Sequence, residues 1–349
     1  MDNSIEPLPT VVTHEQQLEN LLSAPSNVVV NRFRQLAGDV LILGVAGKMG
    51  PSLAHMARRA MSDAGAKGRV IGAARFSQPA LREQLEEWGI ETIRCDLLDE
   101  KQLANLPRAA NIIYMAGMKF GSTGNESLTW AMNAWLPGVV CQHFAGSRIV
   151  AFSTGNVYGL CPVDRGGCQE TDPLCPVGEY AMSCLGRERI FEYFSRDQQT
   201  PVAIIRLNYA CELRYGVLVD LARKVWQGET IDLSMGHFNV IWQADANAMA
   251  LAALGYAAHP PFVVNVAGPE TLSVRQVCES LGSRMRKPVH FTGVEGTDAL
   301  LSNGQLGLRL FGPPRVEAQT LMGWISDWIG RGGATLNKPT HFESRDGSF

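Results

Sequence analysis

Three glycines spaced three apart, Gly44, Gly47 and Gly50, separate the apolar residues Val40, Leu41, Ile42 and Leu43 from a segment with helical periodicity. This junction constrains the fold more than any other stretch. A short apolar run reads as a buried strand, and a glycine-rich turn from a strand into a helix brings free N–H groups and the positive end of a helix dipole to one point. Gly44 permits the tight turn, Gly47 a close approach of phosphate to backbone, and Gly50 close packing of helix on strand. Residues 39–53 therefore predict a cradle for the pyrophosphate of a dinucleotide.

The alternation continues downstream. Helical patterns over 51–65, 79–88, 127–145 and 179–195 separate strand-like runs at 69–74, 91–95, 111–117, 148–153 and 201–207. Strands joined by helical crossovers form a parallel sheet covered on both faces, so the expected class is α/β, a doubly wound parallel sheet of the Rossmann type. Beyond 207 the alternation loosens. Helical stretches at 215–227, 243–257, 273–285 and 317–330 mix with short strands at 238–242 and 261–266. This suits a smaller C-terminal α/β region closing over the strand ends, where open sheets bind ligands. The expected organisation is an N-terminal extension (1–37), a dinucleotide-binding domain (38–207), an interleaved substrate-binding region (208–330) and a polar tail (331–349) that wraps the surface. Within the extension, Thr13 and Gln16 read as a capping box ahead of Leu18, Leu21 and Leu22, predicting a helix packed on the domain or on a neighbouring subunit.

A chain of 349 residues that is 46% hydrophobic buries a sizeable core, and a formal charge of −3 leaves no basic footprint for nucleic acid or an anionic membrane. No apolar run reaches the length of a membrane span, and the first ten residues lack a basic segment followed by an apolar one, so a cytoplasmic location is expected. The eight cysteines are scattered, which suits reduced thiols better than a disulfide framework. Cys161, Cys168 and Cys175 share one loop without close C-x-x-C pairs, and the histidines form no ligand pair, so no metal site is expected.

The second strand ends in Ala73, Ala74 and Arg75. A chain selective for NAD places an acid there for the adenine ribose, whereas a small residue followed by arginine suits the 2′-phosphate of NADP, so NADP is favoured over NAD. Asp96, past the third strand, reads as a partner of the adenine or as a cap for the helix near Asp99. Further on, Ser153-Thr154-Gly155-Asn156-Val157-Tyr158-Gly159 closes a strand, and Tyr180 opens a helix. Here the chain resembles the extended short-chain dehydrogenase/reductases, the NAD(P)-dependent sugar epimerase/dehydratase family. The matching segments run in the family's order: GVAGKMG at 44–50, CDLLD at 95–99, AGMKF at 116–120, Asn133, STGNVYG at 153–159, ETDP at 170–173, the Tyr180 helix, RLN at 206–208 and NVAGPE at 265–270.

The resemblance implies hydride exchange between a carbinol and a nicotinamide, with Tyr180 as acid/base, Thr154 orienting the oxygen, and Asn156 and Asn208 touching the substrate. It implies cofactor contacts at Gly44, Gly47, Lys48, Met49, Gly50, Arg75, Asp96, Leu97, Ala116, Gly117, Lys119, Tyr180 and Cys184. The family's tyrosine is followed four residues later by a lysine; here Cys184 stands in that position. Without a neighbouring cation, ionising a phenol at neutral pH costs about 4 kcal/mol. Lys119, which looks like the lysine of the AGLK segment in UDP-galactose 4-epimerases, is the substitute expected to assist catalysis. Arg187, two turns along the same helical face and about 10 Å away by helix rise, is a second and more distant substitute, read in preference as an exposed or phosphate-paired charge. Cys184 reads as a small buried residue packing on the cofactor. Gly155-Asn156 replaces the Asp-Glu pair of 4,6-dehydratases, which disfavours dehydration, and Asn208 comes one position early for the RxxN motif of nucleotide-sugar members. Arg206 reads as the partner of a core carboxylate. The expected function is an NAD(P)-dependent oxidoreductase or epimerase acting on a hydroxyl or keto group of a sugar, sugar acid or nucleotide sugar. The resemblance implies a homodimer formed through 127–145 and 179–195. The alternatives are a cofactor-binding regulatory protein with little turnover and a structural subunit of a larger assembly.

Overall fold

A computed structural model describes residues 7–119 and 121–347. Seven strands form its central sheet: β1 (Val40–Leu43), β2 (Val70–Ala74), β3 (Glu91–Arg94), β4 (Asn111–Tyr114), β5 (Arg148–Thr154), β6 (Val202–Leu207) and β7 (Phe262–Val266). All are parallel, in the spatial order β7-β6-β5-β4-β1-β2-β3. β1 pairs with β2 on one side and β4 on the other, in register Val40 to Val70 and Val40 to Asn111. The direction of progress across the sheet therefore reverses between β1 and β4, which opens a crevice at their C-terminal ends. Successive β1 side chains serve opposite layers. Val40 and Ile42 pack with the glycine-turn helix (Gly50–Ala64), while Leu41 and Leu43 pack with Phe191 of the Tyr180 helix (Gly178–Gln198). This is the doubly wound Rossmann architecture expected from the alternation.

The N-terminal segment folds as two helices, Glu15–Leu22 and Asn27–Gln35. Only the first was expected. Leu18, Leu22, Val29 and Phe33 are buried in the same cluster as Leu53 and Ala57 of the glycine-turn helix, so the pair packs on this chain. The cap lies one residue later than expected: His14 Nδ1 accepts from the Gln17 N–H at 3.2 Å, and Gln17 Oε1 accepts from the Thr13 N–H at 2.8 Å.

Other boundaries differ for identifiable reasons. The expected helix at 127–145 is broken into Glu126–Trp130, a π turn at Ala131–Trp135, and Leu136–His143. Pro137 has no N–H to give the Asn133 carbonyl four residues back, and Arg187 Nε donates to that carbonyl instead, at 3.3 Å. The run at 261–266 belongs to the main sheet, with Asn265 beside Arg206. The run at 238–242 is two strands, His237–Phe238 and Ile241–Trp242, separated where the Asn239 amide turns inward to the Ser302 carbonyl. A helix at Gln305–Phe311 was not foreseen. Asp99, not Asp96, caps the short helix Glu100–Ala104, accepting from the Lys101 and Gln102 N–H groups. Among the described residues, no helix is long and apolar enough to cross a membrane.

The segment after Gly330 does more than wrap the surface. Its Thr340 donates from both N–H and hydroxyl to Asp220, each at 2.7 Å, and Phe342 is buried with its ring 5.9 Å from that of Phe238.

Candidate functional site

A cavity of about 260 Å³ lies at the C-terminal ends of β1, β4, β5 and β6, at the crevice between β1 and β4. Its wall on the β1 side is the glycine turn. Gly44 has φ +86°, and a Cβ there would lie 2.8 Å from the Ala116 nitrogen. At Gly50 a Cβ would meet the Val45 carbonyl oxygen at 2.1 Å, so only glycine lets the helix start this close to the strand. Gly47 and Met49 face the cavity, and no side chain caps the helix at Met49. The positive end of the helix dipole thus points at an open space with room for a pyrophosphate. The residues present fit a dinucleotide.

On the opposite wall stand Thr154, at the end of β5, and Tyr180, in the first turn of its helix. Thr154 Oγ1 accepts from the Asn156 N–H at 3.2 Å, and its hydroxyl is hydrogen-bonded to the Tyr180 phenol. The tyrosine also bonds the Cys184 thiol, one turn along the helix and fully buried. Burial first, and then the Cys184 sulfur, push the Tyr180 phenol well above its ordinary range; Arg187 and the Thr154 bond pull it back.

The cavity floor holds Arg187. It is 6% exposed, contrary to the expectation of an exposed or phosphate-paired charge. Its guanidinium donates to the Phe152 carbonyl at 2.7 Å, the Asn133 carbonyl at 3.3 Å and Asn133 Oδ1 at 2.5 Å. Three acceptors left over from the strand end and the π turn make burial of this charge tolerable. Asn133 in turn donates to the Met118 carbonyl and the Ser183 hydroxyl, both at 2.9 Å, locking the β4 loop to the Tyr180 helix. Gly117 is required beside it, since a Cβ would sit 2.4 Å from an Arg187 Nη atom.

Two lysines complete the lining. Lys48 Nζ donates to the Ala210 carbonyl at 3.2 Å and lies 4.4 Å from the Tyr215 ring centre; Lys119 Nζ donates to the Thr340 carbonyl at 3.4 Å and lies 5.8 Å from the Tyr180 ring centre. Burial lowers each to about 8, against opposing pulls from Glu212 and Cys211 on Lys48, and from Cys184 and Asp220 on Lys119.

Of the residues expected from the sequence, Gly44, Gly47, Lys48, Met49, Gly117, Lys119, Thr154, Asn156, Tyr180 and Asn208 line this cavity together. Gly50 and Cys184 lie buried behind it, and Ala116 is buried beside Gly44. Arg75 is exposed beyond β2, while Asp96 and Leu97 follow β3, two strands away from β1. Asn208 is more constrained than expected: its amide donates to Asn239 Oδ1 at 2.7 Å and to the Leu300 carbonyl. Arg206 pairs with a core carboxylate, Glu188, as expected. Sequence reading missed Tyr209, Tyr215 and Thr340 in the lining. Tyr209 carries φ +45°, a conformation seldom held by a bulky residue outside a constrained site, and follows RLN directly. Thr340 gave no signal, standing in a polar tail.

Comparison with known proteins agrees with this architecture. No curated protein matches the chain in sequence. Among solved structures, the UDP-glucuronic acid 4-epimerase from Bacillus cereus in complex with UDP-glucuronic acid and NAD is 16% identical, the match covering 84% of this chain and 99% of that one with a TM-score of 0.68. DesIV (dTDP-glucose 4,6-dehydratase) from Streptomyces venezuelae with NAD and TYD bound is 19% identical, covering 84% and 97%, with a TM-score of 0.70. Pal from Bacillus thuringiensis is 18% identical, covering 84% and 99%, at 0.68. At these identities the likeness establishes the fold. Residues 40–211 match the family model described as the NAD dependent epimerase/dehydratase family, and this segment of the chain belongs to that family.

Proposed function

We propose that this protein is an NAD(P)-dependent oxidoreductase or epimerase acting on a hydroxyl or keto group of a sugar, sugar acid or nucleotide sugar. The observation that carries the reading is the Thr154–Tyr180 hydrogen bond facing the same cavity as an uncapped glycine-turn helix. A binding module has no need to set an acid/base pair opposite a pyrophosphate cradle. Gly44, Gly47 and Met49 would hold the pyrophosphate, with Gly117, Lys119 and Tyr180 along the nicotinamide half. When bound, the cofactor supplies the hydride acceptor or donor. Tyr180 takes or gives the carbinol proton, and Thr154, held in place by the Asn156 N–H, orients the carbinol oxygen. The buried Arg187 charge offsets part of the rise that burial imposes on the phenol, doing at a distance what an adjacent lysine does in the motif.

The end of β2 carries no acid across Ala73, Ala74, Arg75 and Phe76, which favours NADP, although the B. cereus and S. venezuelae proteins were solved with NAD. Titrating the protein with both cofactors by calorimetry and thermal shift should give binding, with NADP the tighter, and Arg75→Ala should erase that preference. Absence of binding by either would remove the enzymatic reading. Binding without hydride transfer to any sugar would support the second reading, a cofactor-binding regulatory protein, which Cys184 in the lysine position favours.

A homodimer is part of the proposal. Leu128, Trp130, Trp135, Met182 and Tyr193 remain exposed, all between 126 and 198 on the two helices the resemblance assigns to subunit contact. Light scattering should return twice the chain mass, and Trp135→Glu with Met182→Glu should return a monomer; an unchanged mass in that variant would refute this contact face.

A further inference from the structure

We propose that the substrate is a small sugar carrying its own anionic group, a carboxylate or phosphate, held between Lys48 and Lys119, with no nucleoside attached. The proposal rests on the cofactor-binding reading above. Its first support is charge. Among the described residues, Lys48, Lys119 and Arg187 line the cavity and no Asp or Glu does, in a chain whose formal charge is −3. A cationic pocket in an acidic protein selects anions.

The second support is placement. Arg187 is fixed to the floor by its carbonyl and amide acceptors. Lys48 leaves the glycine turn toward Ala210 and Tyr215, beyond the end of β6, which is the substrate side of the crevice. Lys119 lies 5.8 Å from the Tyr180 ring centre, beside the acid/base pair, and both lysines line the one cavity. The nearest acids face other partners: Glu212 pairs with Arg214, and Asp220 accepts twice from Thr340. Burial lowers both lysines to about 8, so most of each still carries its charge at neutral pH, and an arriving anion favours the charged form further.

The third support is size. The cavity is about 260 Å³, and the bulky Tyr209 and Tyr215 are among its lining residues with Val217 and Thr340. The Asn208 amide, which stands near the position of the nucleotide-sugar motif, is directed to Asn239 and Leu300. What remains suits a single sugar ring.

The test uses the protein at saturating cofactor, titrated calorimetrically with glucuronate, glucose 6-phosphate, glucose and UDP-glucose. At least one of the two anionic sugars should bind tenfold or more tightly than glucose. Lys48→Gln and Lys119→Gln, each at its own saturating cofactor, should bring that ratio toward one, and Lys48→Arg should preserve it. Equal affinity for charged and neutral sugars, a ratio unmoved by both glutamine variants, or binding of none of these probes overturns the proposal. Tight binding of UDP-glucose alone also overturns it, assigning the lysines to a nucleotide's pyrophosphate. Failure of the cofactor itself to bind appears in the preceding titration and removes the underlying reading instead.

Discussion

Tyr180→Phe is expected to lower hydride transfer by about 10²–10⁴-fold while leaving cofactor affinity near that of the parent protein. The substitution removes one oxygen. The ring still fills its half-buried position, and the Thr154 hydroxyl keeps the Asn156 N–H that orients it. What disappears is the group proposed to accept or deliver the carbinol proton. The pH dependence should carry the same signature. Tyr180 sits well above its ordinary range, through burial and then the Cys184 sulfur, with Arg187 and Thr154 opposing. Oxidation requires the ionised phenol, so across neutral pH its rate should climb about tenfold per pH unit and keep climbing into the alkaline range. A variant lacking the phenol should lose that slope along with the rate. Single-turnover measurement of cofactor reduction reads both quantities. Full turnover in Tyr180→Phe would dismiss the acid/base assignment, and a flat parent profile would point to a step other than proton transfer as limiting.

What the sequence disclosed about this site follows the range of the interactions involved. The turn from β1 into the next helix is local: Gly44 at φ +86° and the contact between Gly50 and Val45 both depend on residues within a few positions, so the motif was readable. Thr154 and Tyr180 were readable as segments with family resemblance. Arg187 was misjudged because an arginine on a helix normally faces water. Its burial depends on a carbonyl released by Pro137 some fifty positions earlier. Thr340 was invisible for a similar reason. It reaches the cavity through Asp220, across 120 positions of sequence. β7 was assigned to the smaller region because the chain passes through several short elements before returning to pair with β6. Single apolar runs carry no information about which sheet will receive them.

Removing either member of the buried pair Arg206–Glu188 should have the largest effect on stability. The two side chains are 6% and 3% exposed, with two parallel contacts, Nε to Oε1 at 3.0 Å and Nη2 to Oε2 at 2.7 Å. Ser153 donates to the same Glu188 oxygen at 2.5 Å, and Arg206 also donates to the Tyr158 hydroxyl at 2.8 Å, which donates on to Asn265. Arg206→Met therefore strands a carboxylate, and Glu188→Met strands a guanidinium, at an expected cost of about 3–5 kcal/mol each. The midpoint of thermal unfolding should fall by on the order of 5–10 °C. The double substitution to methionine should cost less than either single change, because a buried charge without its partner, more than the lost attraction, dominates the penalty. Additive losses would mean that the pair contributes nothing as a pair. The same network bears on catalysis. Glu188 lies two turns after Tyr180 on one helix, and Ser153 immediately precedes Thr154, so a single carboxylate ties the strand bearing one proposed catalytic hydroxyl to the helix bearing the other. Below its melting temperature, Arg206→Met should retain cofactor affinity and lose turnover, since Arg206 fixes the Glu188 carboxylate through which Ser153 holds the strand end to the Tyr180 helix.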